Sequence, residues 1–355
     1  MKLPSIKNVN FKGKRVIVRI DFNVLIEKGK VKDDFRIRKA WPTIELLKKK
    51  GAKIILISHI SEGRGKSLRP VAEYLGVRFF ADKNFAVLRK KISQIKNGEI
   101  VLLENLRRFK EEEKNNKKFS KNLASLGDIY INEAFSASHR SHASIVGIAE
   151  FLPSYAGLLF DEEYKNLKTI FNPPHPFLLI LGGVKFGTKL GVLEKFEKIA
   201  DKIFVGGALA NNFFWAQKVD VGCSIVDLRV NIKKFLKNPK IVVPVDVNKK
   251  NNKILDIGPM AVKQVGELIK KSKFILWNGP VGDFEEKGFD KGTLAIARLI
   301  AKSRAKSIVG GGDTVAAVKK IGLGKFSFVS TAGGAMLEFL AKGTLPGIEA
   351  LKRSR

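Results

Sequence analysis

Cysteine is almost missing from this chain: Cys223 is the single example in 355 residues. That excludes an intramolecular disulfide and any cysteine-rich zinc site, and it fits a reducing compartment. Acidic residues are also scarce, 34 against 66 lysines and arginines, so the formal net charge is +32, with a sequence pI near 10.1. Long hydrophobic runs are lacking. With no apolar stretch of about 18 residues, no membrane-spanning helix is expected, and without a basic-then-apolar leader neither is export by a standard signal. A cytoplasmic location is the expectation.

Excess positive charge favours acidic partners, nucleic acid first among them. The lysines, however, are scattered as KKK, RKK and KKNN and form no single arm. No specific nucleic-acid partner is expected, and a solvated basic surface gives only non-specific electrostatic binding at low salt.

What is present is the material of a folded core: 45% apolar and 28% charged residues, in a chain long enough for two domains. One unit recurs, a short β-branched or Leu-rich run, a Gly-rich or polar turn, then a segment of helical periodicity. The runs are RVIVRIDFN, AKIILISH, GEIVLLEN and DIYINEAF, then PFLLILGG, DKIFVGG, KIVVPVDV, KFILWNGP, AKSIVGGG and FSFVSTAGG. Continuous apolar runs mark parallel strands covered on both faces. IRKAWPTIELLKKKG reads as a helix ending at Gly51. The expected fold is therefore two doubly wound, Rossmann-like α/β domains with parallel sheets. LLFDEEYKNLKTIFNPPHP reads as a helical connector with a proline stop. The boundaries drawn are residues 1–155, a connector at 156–175, and 176–339.

Ligands of open α/β sheets bind outside the carboxyl ends of the strands. In the first half those ends carry side chains: Asp21 and Asn23, His59, Glu104 to Arg107, and Asn132 to Arg140, with Arg19, Arg36, Arg38, Arg64 and Arg108 close by. Arginine suits phosphate and carboxylate because its planar fork bonds both in bidentate fashion. EAFSASHRSHAS places His139 and His142 around Arg140. Helical i,i+3 spacing would put both rings on one face, but a metal would need further ligands, and an anion site is favoured. In the second half the strand ends carry glycine: Gly182-Gly183, Gly206-Gly207, Gly279, Gly310 to Gly312, Gly333-Gly334. Each could be a tight βα connection; five together favour a nucleotide site. LGGVKFGTKLGV narrowly misses the P-loop pattern, since Thr188-Lys189 follows Gly187 where Lys-Ser/Thr is needed, yet it sets Lys185 and Lys189 four apart. Asp313, after three glycines, is either a helix N-cap or a carboxylate for Mg2+ beside a phosphate cradle.

These segments, together with DDFRIRKAWPTI, WNGPVG, GGGDTVAAV and STAGGAMLEFL…LPGIEAL, stand in the order and approximate spacing of phosphoglycerate kinase, and the chain resembles that family over essentially its whole length. The resemblance implies a two-domain, hinge-closing monomer with a hinge helix and with residues 340–355 returning to the first domain. It implies reversible transfer of a phosphoryl group between 1,3-bisphosphoglycerate and ADP, giving 3-phosphoglycerate and ATP, with Mg2+. Phosphoglycerate would be held by Asp21, Asn23, Arg36, His59, Arg107 and Arg140, with His139 and His142 completing a basic patch. The nucleotide would lie on Gly183, Lys185, Lys189, Gly207, Asn278, Glu285 towards the ribose, and Gly310, Gly311, Gly312, Asp313 and Thr314, with Asp313 serving the metal. Arg36 and Lys185 would act on the transferring group. The rival is a non-catalytic basic relative that holds nucleotide or nucleic acid.

The departures from the family pattern are Glu62 at a usual arginine position, which Arg64 could fill, Arg108 for phenylalanine, and Ala208 and Ala332 for glycines. If His139 and His142 tune the field around Arg140, phosphoglycerate binding should weaken as pH rises through their titration.

Overall fold

The computed structural model describes residues 2–60, 66–184, 186–229 and 231–354. The chain divides into two compact units, Met1–Tyr164 with Thr344–Arg355, and Lys165–Gly343.

The first unit is built on β1 (Arg15–Arg19), a small hairpin of β2 (Ile26–Glu27) and β3 (Lys30–Val31), β4 (Lys53–Ile57), β5 (Arg78–Phe80), β6 (Ile100–Leu103), β7 (Ile129–Asn132) and β8 (Ser154–Ala156). Six of these form one sheet in the order β5-β6-β4-β1-β7-β8, and every pairing in it is parallel. Alternate residues feed two cores. Val16, Val18, Ile54 and Leu56 face Ile44 and Leu47 of α1 (Phe35–Lys49). Ile17, Ile55 and Ile57 join Leu88, Ile92, Phe119 and Leu123 on the other face. That two-sided cover is why these strands read as unbroken apolar runs. The remaining helices of this unit are α2 (Arg69–Leu75), α3 (Phe85–Ser93), α4 (Lys110–Glu113) and α5 (Lys117–Ala124). Helix α1 stops where Gly51 takes a φ of 70°, two residues past its last turn.

Helix α6 (Leu158–Lys168) opens in the first unit, and the division falls inside it, after Tyr164. The second unit then repeats the plan with β9 (Phe177–Leu181), β10 (Lys202–Val205), β11 (Ile241–Val242), the antiparallel hairpin β12 (Val247–Lys250) and β13 (Lys253–Ile257), β14 (Phe274–Asn278), β15 (Lys306–Gly310) and β16 (Phe328–Val329). Its parallel sheet runs β11-β10-β9-β14-β15-β16. Its helices are α7 (Phe186–Phe196), α8 (Gly207–Ala216), α9 (Pro259–Lys271), α10 (Lys291–Lys302), α11 (Gly312–Lys319) and α12 (Gly334–Lys342). Helix α13 (Pro346–Arg353) belongs to the first unit, where Gly347 N–H donates to the Ser138 carbonyl at 2.9 Å and Ser154 N–H donates to Ser354 Oγ at 2.9 Å. Among the described residues no helix is long and apolar enough to cross a membrane.

Two details differ from the sequence reading. β5 and β8 are three-residue edge strands that no apolar run announced. KIVVPVDV gives the sheet only Ile241 and Val242, because Pro244 has no N–H for the ladder and the chain turns into the β12–β13 hairpin.

Candidate active site

In each sheet the strand order reverses beside the first strand, between β4 and β7 in the first unit and between β10 and β14 in the second. Strand ends at such a switch point leave a crevice. In the first unit the crevice collects charge. Arg36, on the opening turn of α1, donates from Nη1 to Asp21 Oδ2 at 3.0 Å and to the Asn23 carbonyl at 3.2 Å. The same carboxylate accepts from Ser136 Oγ at 2.5 Å and from Asn23 N–H at 3.0 Å. Burial alone would raise the Asp21 carboxyl, but Arg36 and these donors outweigh it and hold it down at about 2. Asp21 is thus an anchor that aims Arg36, whose guanidinium stays half exposed.

His59 lies deeper, between two arginines. Arg19 Nη2 stands 2.9 Å from its Nδ1, and Arg140 Nη1 stands 3.4 Å from its Nε2. Burial and the charges of Arg19, Arg107 and Arg140 push His59 down to about 2, and the same causes, burial first, push His142 down to about 4. Both rings are therefore neutral at physiological pH, and the positive field of the crevice comes from arginine. His139 and His142 do not share a helical face. Phe135–Ala137 is a single 3-10 turn, and the chain is extended at His142 before the next turn begins at Ala143. Ser138 Oγ, donating to the Ala134 carbonyl and accepting from Asn132 Nδ2, competes with helix continuation there. Arg140 Nε does reach His139 Nε2 at 3.3 Å. Arg107, on the 3-10 turn Leu106–Arg108, forms an ion pair with Glu113.

The crevice of the second unit is made of backbone. A Cβ on Gly279, at φ 94°, would stand 2.1 Å from the Gly182 carbonyl oxygen. One on Gly207, at φ 59°, would stand 2.6 Å from the Gly183 nitrogen. The three glycine turns thus press on one another, and close approach is part of what they are for. Thr314 is buried and its Oγ1 accepts from Gly279 N–H at 2.8 Å. Beside these turns opens a cleft of about 670 Å³ that brings together Gly183, Gly207, Glu285 and Asp313 with Pro280 and the β12–β13 hairpin. Its size suits a nucleotide-scale ligand. Asn278, Gly310 and Thr314 stand behind that wall: Asn278 and Thr314 are buried, and a Cβ on Gly310 would strike Met336 Sδ. Lys189 is buried on α7, its Nζ 3.3 Å from where a Gly183 Cβ would lie. Asp313 is not the N-cap of α11, which is Gly311; its carboxylate sits exposed in the first turn. Lys185, Glu62 and Arg64 lie outside the described residues.

A sequence model described as phosphoglycerate kinase matches residues 6–343. The chain belongs to the phosphoglycerate kinase family. A phosphoglycerate kinase of Borreliella afzelii is 39% identical, covering 99% of this chain and 100% of its own. Among solved structures, the phosphoglycerate kinase of Coxiella burnetii matches with a TM-score of 0.84 at 35% identity, covering 99% of this chain and 100% of that one. The enzyme of Pyrococcus horikoshii matches with a TM-score of 0.88 at 31% identity, covering 99% of each.

One departure from the phosphoglycerate kinase pattern has a structural account. Arg108 donates to Glu104 Oε2 at 2.7 Å, and that buried carboxylate also accepts from Ser67 Oγ and from the N–H groups of Leu68 and Asn105. Ala208 lines the nucleotide-sized cleft, whereas Ala332 is buried. Ser136 and Glu112 carry no signal in the sequence, and Arg19 stands there only as one of several strand-end arginines. The signal for Arg19 was an arginine at the end of an otherwise apolar central strand, a position that burial reaches only when a partner is waiting.

Proposed function

We propose that this member of the family transfers a phosphoryl group directly and reversibly between 1,3-bisphosphoglycerate and MgADP, yielding 3-phosphoglycerate and MgATP, as a cytoplasmic monomer in glycolysis and gluconeogenesis. The carrying observation is the convergence of Arg36, Arg140 and His59 on the strand-end crevice of the first unit, with Asp21 aiming Arg36. That is a receptor for a small polyanion. In the ATP-consuming direction a carboxylate oxygen of 3-phosphoglycerate attacks the γ-phosphorus, and the bond to the ADP oxygen breaks. The carboxylate is already ionised, so no protein base is required, and a neutral His59 held by arginines offers none. The demand is for neutralisation and in-line alignment. Arg36, together with Lys185, would supply it on the transferring group, and exclusion of water there would protect the acyl phosphate.

Among the described residues no group of three or more potential ligands could cage a metal. Asp313, an exposed carboxylate at the nucleotide-sized cleft, fits Mg2+, which takes one or two carboxylates and completes its shell with phosphate oxygens and water. Bound there with the nucleotide, the ion would offset phosphate charge. Glu285, exposed on the same cleft, is placed to meet the ribose hydroxyls.

The test is ATP formation from ADP and 1,3-bisphosphoglycerate in a coupled assay. Turnover that falls by about 10²-fold or more in Lys185→Ala is expected. Nucleotide binding without turnover would overturn the reading and favour the non-catalytic alternative.

A further inference from the structure

We propose that Arg19 is a positioning residue that fixes His59 as the Nε2–H tautomer, so that an imidazole N–H and the Arg140 guanidinium present two donors side by side to one anionic oxygen of the bound ligand. The inference rests on reading this crevice as the phosphoglycerate site.

Arg19 is 1% exposed, and its fork is held in three directions. Nη1 donates to the Ile20 carbonyl at 2.5 Å, Nε donates to Ser144 Oγ at 3.0 Å, and Nη2 faces His59 Nδ1 at 2.9 Å. Ser144 Oγ donates to Glu112 Oε1 at 2.5 Å, and Ser144 N–H donates to Glu112 Oε2 at 2.9 Å. Glu112 is 1% exposed and Ser144 is fully buried. Guanidinium has donors and no acceptor, so at 2.9 Å the Nδ1 atom must be the one with the lone pair. A neutral imidazole has a single lone pair, and the proton therefore sits on Nε2. This explains the other contact. Arg140 Nη1, at 3.4 Å from Nε2, is too far for a good hydrogen bond and has no lone pair to meet there. Two N–H groups that close cannot satisfy each other, and both are satisfied by one carboxylate or phosphate oxygen set between them.

The alternative tautomer would leave a buried N–H facing a buried guanidinium N–H, with Ser144, Ile20 and Glu112 allowing Arg19 no retreat. Lysine could not replace Arg19, since one ammonium cannot bond three acceptors in that plane. Arg19 itself has no route to ligand: its role passes through His59. A buried Arg–Ser–Glu relay is costly to assemble and has no part in the transfer step. Control of one proton position is what it supplies.

The experiment is long-range proton–nitrogen NMR of the full chain with 15N-labelled histidine, which separates bare from protonated ring nitrogens without reference to catalysis. His59 is expected to show a bare Nδ1 and a protonated Nε2 in the free protein and with 3-phosphoglycerate added. A protonated Nδ1, or an imidazolium, overturns the inference. Arg19→Lys should show mixed tautomers and a KM for phosphoglycerate raised about tenfold. Two further variants keep the question open should Arg19→Lys fail to fold. His59→Gln places an amide N–H near the Nε2 position and should keep 3-phosphoglycerate affinity within about fivefold, whereas His59→Asn reaches only the Nδ1 position and should lose about 50-fold. Equal losses in the two also overturn it. Should the coupled assay show no kinase activity while His59 remains Nε2-protonated, the functional reading fails and the positioning role stands.

Discussion

The two units end their parallel strands in opposite ways. In the first, the ends of β1, β4 and β7 hold polar and charged side chains that stand off the backbone, Asp21, His59 and those around Arg140. In the second, the ends of β9, β10 and β14 hold glycines whose backbones meet at distances that no Cβ could share. One crevice is thus an assembly of side chains on a finished fold. The other is the fold itself, and its binding surface cannot be altered without altering the sheet.

The comparison is broken most directly by exchanging the two kinds of damage. Arg36→Ala removes a half-exposed side chain and should lower kcat by about 10²- to 10³-fold, roughly 3 to 4 kcal/mol, while the thermal midpoint stays close to wild type. Gly279→Ala puts a methyl group 2.1 Å from the Gly182 carbonyl at a φ of 94° and should cost roughly 3 kcal/mol of stability or more. Kinetics and denaturant unfolding on both variants decide the matter. An unfolded Arg36→Ala with a stable, merely inactive Gly279→Ala would reverse the distinction.

A finer cut lies within the first unit, because not every charged strand end there serves the ligand. Glu133, directly after β7, is buried; Thr43 Oγ1 donates to its Oε1 at 2.6 Å, and the N–H groups of Leu159 and Phe160 at the head of α6 reach its two oxygens. Burial raises its carboxyl to about 8, against those hydrogen bonds. The folded state therefore holds a proton that the unfolded chain gives up near 4.5. Stability from this group is complete below that unfolded value and is lost as pH rises through about 8. Glu133→Gln, which keeps the shape, should flatten that slope by on the order of 1 kcal/mol per pH unit. Unfolding free energies between pH 5 and 8 check it. An unchanged slope would place the pH response elsewhere and return Glu133 to the ligand side of the crevice.

How far the sequence carries these distinctions depends on range. Ten strand runs were legible because burial on both faces leaves an unbroken apolar signature. β8, with the sequence SYA at a sheet edge, has none. The anion crevice was legible as a set of residue types at strand ends, where Arg140 stands beside His59 and Arg36 beside Asp21. What stayed hidden was ownership of hydrogen bonds. Asp21 looked like a ligand contact and is bound mainly to Arg36 and Ser136. Thr314 looked like a phosphate contact and pins Gly279. His139 and His142 fit a helical pair by spacing, but the turn ends at Ala137, where Ser138 Oγ bonds back to the Ala134 carbonyl and accepts from Asn132 Nδ2, and His142 is extended. Each of these bonds comes from a partner distant in sequence or from a short polar side chain bonding its own neighbourhood, and neither leaves a period to read.

The smallest expected effect is informative through its sign. If His139 and His142 were cationic, phosphoglycerate binding would weaken as pH rises through neutrality. With His59 down at about 2 and His142 at about 4, neither ring changes charge between pH 6 and 8, and their contribution there is flat. The group that does titrate is the ligand, whose phosphate gains its second charge near pH 6. Against a crevice whose positive field comes from arginines, affinity should therefore rise by a few-fold from pH 5.5 to 7.5 and then level. Calorimetric titration of 3-phosphoglycerate across that range reads the sign directly. A fall would mean that a histidine is protonated in the crevice at neutral pH, and that the first unit recruits titratable as well as permanent charge. A rise leaves the contrast between the units as one of permanently charged guanidinium groups against backbone, with proton position, not proton number, as what His59 adds.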